Sequence, residues 1–87
     1  MNKNWLDDAW EDYLYWQKQD KKTLKRINQI LKDIDRNLHF GIGKPEPLTR
    51  DLSGCWSRRI DEKNRIVYRI EKNQIYIYQC GSHYRDK

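Results

Sequence analysis

Cysteine is scarce in this chain: Cys55 and Cys80 stand far apart, and no C-x-x-C occurs. Two thiols at that spacing are too few for a zinc site. They can form at most one disulfide, and the commoner state of such a pair is two buried thiols in a reducing cytosol. Long apolar runs are missing as well. No 18-residue apolar stretch exists, so no transmembrane helix is expected. The first residues, MNKNWLDDAW, lack the apolar run of a signal peptide. The expected location is therefore the cytoplasm. Repeats, linkers and low-complexity segments are absent, and 87 residues allow one domain, residues 1–87. Proline occurs only twice, as Pro45 and Pro47, and both flank one carboxylate, Glu46.

Hydrophobic residues make up only 37% of the chain, but four Trp, six Tyr and one Phe are among them. Each aromatic buries a large area, so few residues can build the core. A domain this small buries only about 60% of its unfolded surface. There is room for a fold but not for a deep cofactor pocket besides, and no cofactor is expected. The net charge is +5. Residues 1–40 carry 8 basic and 7 acidic side chains, a balance of +1; residues 41–87 carry 10 and 6, a balance of +4. The cationic excess lies in the second half, beside aromatics, which points to nucleic acid or an acidic protein segment.

Residues 2–6 read as a short strand or lead-in. Asp8-x-x-Glu11 resembles a capping box, and Leu6, Ala9, Trp10, Tyr13 and Leu14 follow helical spacing, predicting a helix near 7–18. Asp20 is placed to cap a second helix, in which Leu24, Ile27, Ile30, Leu31, Ile34 and Leu38 form an apolar stripe. Lys21, Lys22, Lys25, Arg26 and Lys32 occupy its wet face. The join is short, so the helices form an antiparallel hairpin. Gly41, Gly43, Pro45 and Pro47 then open a loop. Beyond it the period changes to two: 55–60, 64–70 and 74–80 read as strands, with Leu48–Leu52 as a further candidate. The expected class is α+β: an N-terminal helical hairpin packed on a mostly antiparallel, twisted sheet of four to five strands. Alternation puts Trp56, Arg58 and Ile60 on one side of their strand and Cys55, Ser57 and Arg59 on the other. With a three-residue turn at Asp61–Lys63, Arg59 stands opposite Arg65. A two-residue turn would separate them onto opposite faces.

The ionisable groups outside the helices form a short set: Glu46, Arg59, Arg65 and His83, with Tyr84 beside the last. Cleaving RNA needs a base for the 2′-OH, cations for the charged phosphorane, an acid for the departing 5′ oxygen, and stacking groups for the bases. A carboxylate, two arginines and a histidine cover these roles without a metal. Histidine titrates near neutrality, and arginine grips phosphate bidentately while staying charged.

The strings GKPEPL, LSG-x-WSRRI, NRIVY and C-x-x-HY, with W-x-DDAWEDYLYWQ and DKK…KRIN upstream, resemble the YoeB toxins of the RelE/ParE superfamily, from about residue 3 to 84. The resemblance implies a ribosome-dependent mRNA endoribonuclease that cuts the codon in the decoding site and is silenced by a YefM-type antitoxin. It assigns Glu46 as general base, His83 as general acid, and Arg65 as the residue stabilising the transition-state phosphate. Arg59 falls at an accessory phosphate-binding arginine, and Tyr84 at the terminal aromatic that orders site or substrate. Lys44 keeps the local charge of the loop, and Arg58 joins the cationic set. Where the family often carries lysine after the PEPL string this chain has Thr49, with Arg50 next to it as a substitute. The implied partners are the ribosome with its mRNA, an acidic antitoxin segment wrapping the sheet, and a second copy in a homodimer; DNA is reached only through the antitoxin. Two other readings fit parts of the chain. A ParE-like gyrase-binding toxin would not need the base, acid and arginine together, and a non-catalytic RNA-binding module leaves the Pro-Glu-Pro clamp without a purpose.

Overall fold

The apolar stripe of the second helix organises the molecule. In the computed structural model, which describes residues 1–82, helix α2 (Lys21–Asn37) buries Ile27, Ile30, Leu31 and Ile34 on one face. The Asp20 carboxylate accepts from the backbone N–H of Lys22 and Thr23 and from the Thr23 hydroxyl, which satisfies donors the first turn would otherwise leave orphaned. Helix α1 (Asp7–Gln19) precedes it, separated by Asp20 alone, and contributes Ala9 to the core. The capping box expected at Asp8-x-x-Glu11 is not formed. Leu6 is the N-cap and makes no side-chain cap bond; Asp7 and Asp8 lie inside the first turn, where their charge complements the helix dipole.

Both helices cover one face of a five-stranded sheet of order β1-β5-β4-β3-β2. The strands are β1 (Asn2–Trp5), β2 (Glu46–Pro47), β3 (Trp56–Arg59), β4 (Arg65–Glu71) and β5 (Gln74–Gly81). All neighbours are antiparallel except β1, which runs parallel to β5 from Asn2↔Gln74 to Trp5↔Ile77. The candidate strand at Leu48–Leu52 is instead a 3₁₀ turn at Arg50–Leu52, with Arg50 at φ +58°, and the extended pair falls earlier, on Glu46 and Pro47. Proline is tolerated there because β2 is the sheet edge.

Ile66, Tyr68, Ile75, Ile77 and Cys80 meet the helices in the core. Two bonds to the Cys80 backbone fasten α1 to the end of β5. Trp16 Nε1 donates to the Cys80 carbonyl at 2.7 Å, and the Cys80 N–H donates to the Asp12 carboxylate at 3.0 Å. Between Val67↔Gln79 and Tyr68↔Ile77 the register slips. One step on β4 is matched by two on β5, so Tyr78 is the extra residue of a β-bulge. No helix among the described residues is long and apolar enough to cross a membrane.

Candidate active site on the open sheet face

The face turned away from the helices carries the ionisable residues. Glu46 pairs across from Ser57, Ser57 from Val67 and Val67 from Gln79, so these four form one row across β2–β5. The adjacent row runs Arg59↔Arg65↔Gly81. Side chains directly opposite in an antiparallel pair share a face. Glu46 therefore lies on the same face as Arg59 and Arg65, one row away. Glu46 and Arg59 are exposed and Arg65 is half-buried. The opposed arginines follow from a tight connection in which the Ile60 N–H donates to the Asn64 carbonyl at 2.8 Å and the Asp61 carboxylate accepts from the backbone of Lys63 and Asn64. Among the described residues no carboxylate forms an ion pair with Arg59 or Arg65. Two like charges held side by side without a counterion favour an anion between them.

Lys44 is exposed beside Arg59, at φ +50°. A residue preceding proline ordinarily avoids such backbone angles, and the loop is held there by the Arg59 N–H, which donates to the Gly43 carbonyl at 2.6 Å. Lys44 and Arg59 also line a shallow hollow of about 350 Å³ with Arg26. Arg50 is exposed on the 3₁₀ turn and borders a different pocket. His83 and Tyr84 lie outside the described residues.

Arg58 is a correction. The phosphate-binding role expected of it conflicts with its burial at 0% exposure. It points to the helix side, as its alternation with Trp56 requires. There its guanidinium forms an ion pair with Asp33 on α2. It also donates to the carbonyls of Leu38 at 2.7 Å, Ile42 at 3.1 Å and Phe40, and Nε donates to the Tyr68 hydroxyl at 3.2 Å. With its donors engaged, Arg58 fastens the 38–42 loop and leaves nothing for a phosphate. The Arg58 hydrogen bond holds the Asp33 carboxyl below the usual carboxylate range, against the opposing effect of desolvation. His39 packs on Trp56 on this same side, with ring centroids 4.4 Å apart. Burial, then the Arg58 charge, lowers its pKa.

Two features of the face were given no role by the sequence reading. Ser57, directly opposite Glu46, is 1% exposed, and its hydroxyl has no hydrogen-bond partner among the described residues; its alternation with Arg59 was the available signal. A pocket of about 860 Å³ adjoins the Glu46 row, with Val67, Tyr78 and Gln79 contributed by the sheet and Leu6 and Leu52 also lining it. The bulge turns both Tyr78 and Gln79 toward it. Its signal is the polar Gln79 in a position that strict alternation from Ile75 and Ile77 would send into the core.

Two helices on one face of a five-stranded, mostly antiparallel sheet, with a charged open face, match the YoeB/ParE-like toxin fold. A YoeB/ParE toxin from Agrobacterium tumefaciens superposes with a TM-score of 0.93 at 38% identity, covering 97% of this chain and 100% of the other. The chain belongs to the YoeB family: the family model described as YoeB-like toxin of bacterial type II toxin-antitoxin system matches residues 5–84. It is 50% identical over 80 residues to Toxin YoeB of Escherichia coli, covering 92% of this chain and 95% of that protein. A heterotetrameric YoeB-YefM toxin-antitoxin complex from Staphylococcus aureus contains a chain 48% identical, with a TM-score of 0.91 and coverage of 97% and 98%. The protein is thus a type II toxin.

Proposed function

We propose that this toxin is a ribosome-dependent mRNA endoribonuclease working by metal-independent acid–base catalysis. The observation that carries the reading is the gathering of Glu46, Arg59 and Arg65 on one open face in adjacent rows. Glu46 takes the proton from a ribose 2′-OH, and the freed oxygen attacks the adjacent phosphorus. Arg65 and Arg59 hold the non-bridging oxygens as negative charge grows on the phosphorane, where fixed cations are most effective. The P–O5′ bond then breaks, giving a 2′,3′-cyclic phosphate, and the leaving oxygen takes a proton from His83. Tyr84 orders the substrate, and Lys44 and Arg50 add to the cationic surroundings of the strand. Gly81 closes the arginine row, and His83 follows it two residues later in the chain.

A YefM-type antitoxin is the partner, as in the S. aureus complex. Its acidic segment covers the cationic open face, and DNA is engaged only through that complex. The toxin also forms homodimers in the cytoplasm, as a YoeB dimer from S. aureus exemplifies. Trp10, Leu14 and Tyr15 leave apolar surface exposed on α1 for such contacts.

The test is end-mapping of mRNA after incubation with programmed ribosomes. Glu46→Gln, Arg65→Ala and His83→Gln should each cut at least about 100-fold more slowly, the scale of a lost acid or base. Cleavage that survives all three substitutions removes the catalytic assignment. Gyrase poisoning without cleavage would mark a ParE-like toxin instead.

A further inference from the structure

Resting on the nuclease reading, we infer that the 860 Å³ pocket beside the Glu46 row is a nucleobase pocket that reads one base of the mRNA next to the scissile phosphate. Its size lies within the range of small-ligand sites. Three observations converge. Its position is the first. Val67 in the pocket and Arg65 in the phosphate row are two residues apart on β4, about 6.6 Å along the strand, comparable to the reach of one nucleotide from phosphate to base.

The second is its chemistry. Tyr78 supplies a π-face on which a base can stack, and Leu6, Leu52 and Val67 supply apolar walls. Gln79 is 4% exposed. Among the described residues its side-chain amide makes one long hydrogen bond, Nε2 to the Gly81 carbonyl at 3.4 Å. A buried carboxamide so weakly engaged is ready for the paired donor–acceptor contact that glutamine makes with a base edge.

The third is charge. Among the described residues, the carboxylates of Asp7 and Asp51 border the pocket beside the guanidinium of Arg50. Carboxylates repel a phosphate and accept from base amino and imino groups. The strand is therefore oriented with its phosphate on Arg59 and Arg65 and its base in the pocket. An acidic antitoxin segment is repelled from this spot, although the arginine row attracts it.

The experiment compares cleavage of ribosomes programmed with matched codons that differ in one base at a time. Gln79→Leu should collapse the ratio of cleavage rates between preferred and disfavoured base by roughly 10-fold, within the range of one bidentate base contact. Asp51→Asn, on an exposed turn remote from the core, should narrow the same ratio and provides a variant whose folding is not in question. A ratio unchanged within twofold in both variants, while they and the wild type still cut, overturns the pocket assignment alone. Weakened binding of a YefM-type antitoxin with unchanged base preference also overturns it, assigning the pocket to the antitoxin. A wild type that cuts no codon removes the nuclease reading and the pocket with it.

Discussion

Replacing Arg58 with methionine is the sharpest test of what holds the site in place. The guanidinium is fully buried and bonds to Asp33, to three loop carbonyls and to Tyr68. Methionine fills much of the same space without a donor, so the Asp33 carboxylate loses its counterion and the carbonyls of residues 38, 40 and 42 lose a common partner. Removing the buried member of an ion pair costs about 3–5 kcal/mol. Asp33 is half-buried and keeps bonds from Asn37 and the Ile42 N–H, so much of that loss falls on the stranded carbonyls. For a chain of this length each kcal/mol moves the melting temperature by about 4–8 °C, so a fall of about 12–40 °C is expected. Urea and thermal unfolding of Arg58→Met, Asp33→Leu and the double variant form the cycle. The double variant should recover part of the loss, since two apolar residues leave no stranded charge. A loss below about 1 kcal/mol for Arg58→Met, the level of an exposed pair, would refute the clamp. The same loop leads into Lys44 and Glu46, so Arg58→Lys, which keeps charge but loses the planar fork, should lower cleavage more than its stability change accounts for.

Asp33 makes the acid limb of stability predictable. Its folded pKa is depressed by the Arg58 hydrogen bond, so its contribution is present above the unfolded value of about 3.9 and is lost as pH falls through the lower folded value. Asp33→Asn should flatten that limb of a urea-midpoint profile, and an unchanged slope would contradict it. Gly41→Ala should destabilise by more than about 1 kcal/mol, because Gly41 has φ +113° and an added Cβ would collide with Asp33 Oδ2; wild-type stability in denaturant would show that the loop yields. Burial, then the Asp12 charge, pushes the Cys80 thiol up to about 12, and burial also raises Cys55. Alkylation at pH 8 should therefore spare both in the folded protein and modify both in urea; a rapidly reacting thiol in native protein would count against their burial.

The helices were legible because Ile27, Ile30, Leu31 and Ile34 recur at a helical period that local geometry must honour. The opposition of Arg59 and Arg65 was one of two registers that the sequence left open, and the connection closed by Ile60 and Asn64 selects it. What escaped depended on distant partners. Alternation already put Arg58 beside Trp56 and Ile60, but only Asp33 and the 38–42 carbonyls make a core arginine tolerable, and no local pattern announces them. The bulge at Tyr78 reversed the expected facing of Gln79 and Cys80, because a single inserted residue shifts every later side chain. Arg50 in a left-handed conformation broke the extended segment expected at Leu48–Leu52. Of the candidate site, Glu46, Arg59 and Arg65 were named by the family resemblance. That Glu46 sits on an edge strand in line with Ser57 was not legible, because the Pro-flanked segment reads as a loop, and the pocket arises from residues that no motif joins.

The parallel pairing of β1 with β5 has a consequence for biosynthesis. Asn2 finds its place beside Gln74, so β1 must wait, unpaired, until β5 has been made. Closing that contact joins residues 72 apart in the chain, which makes it a slow, late event. Until β5 emerges, therefore, the sheet lacks the strand that carries Gln79 and Gly81 and that joins β4 to β1.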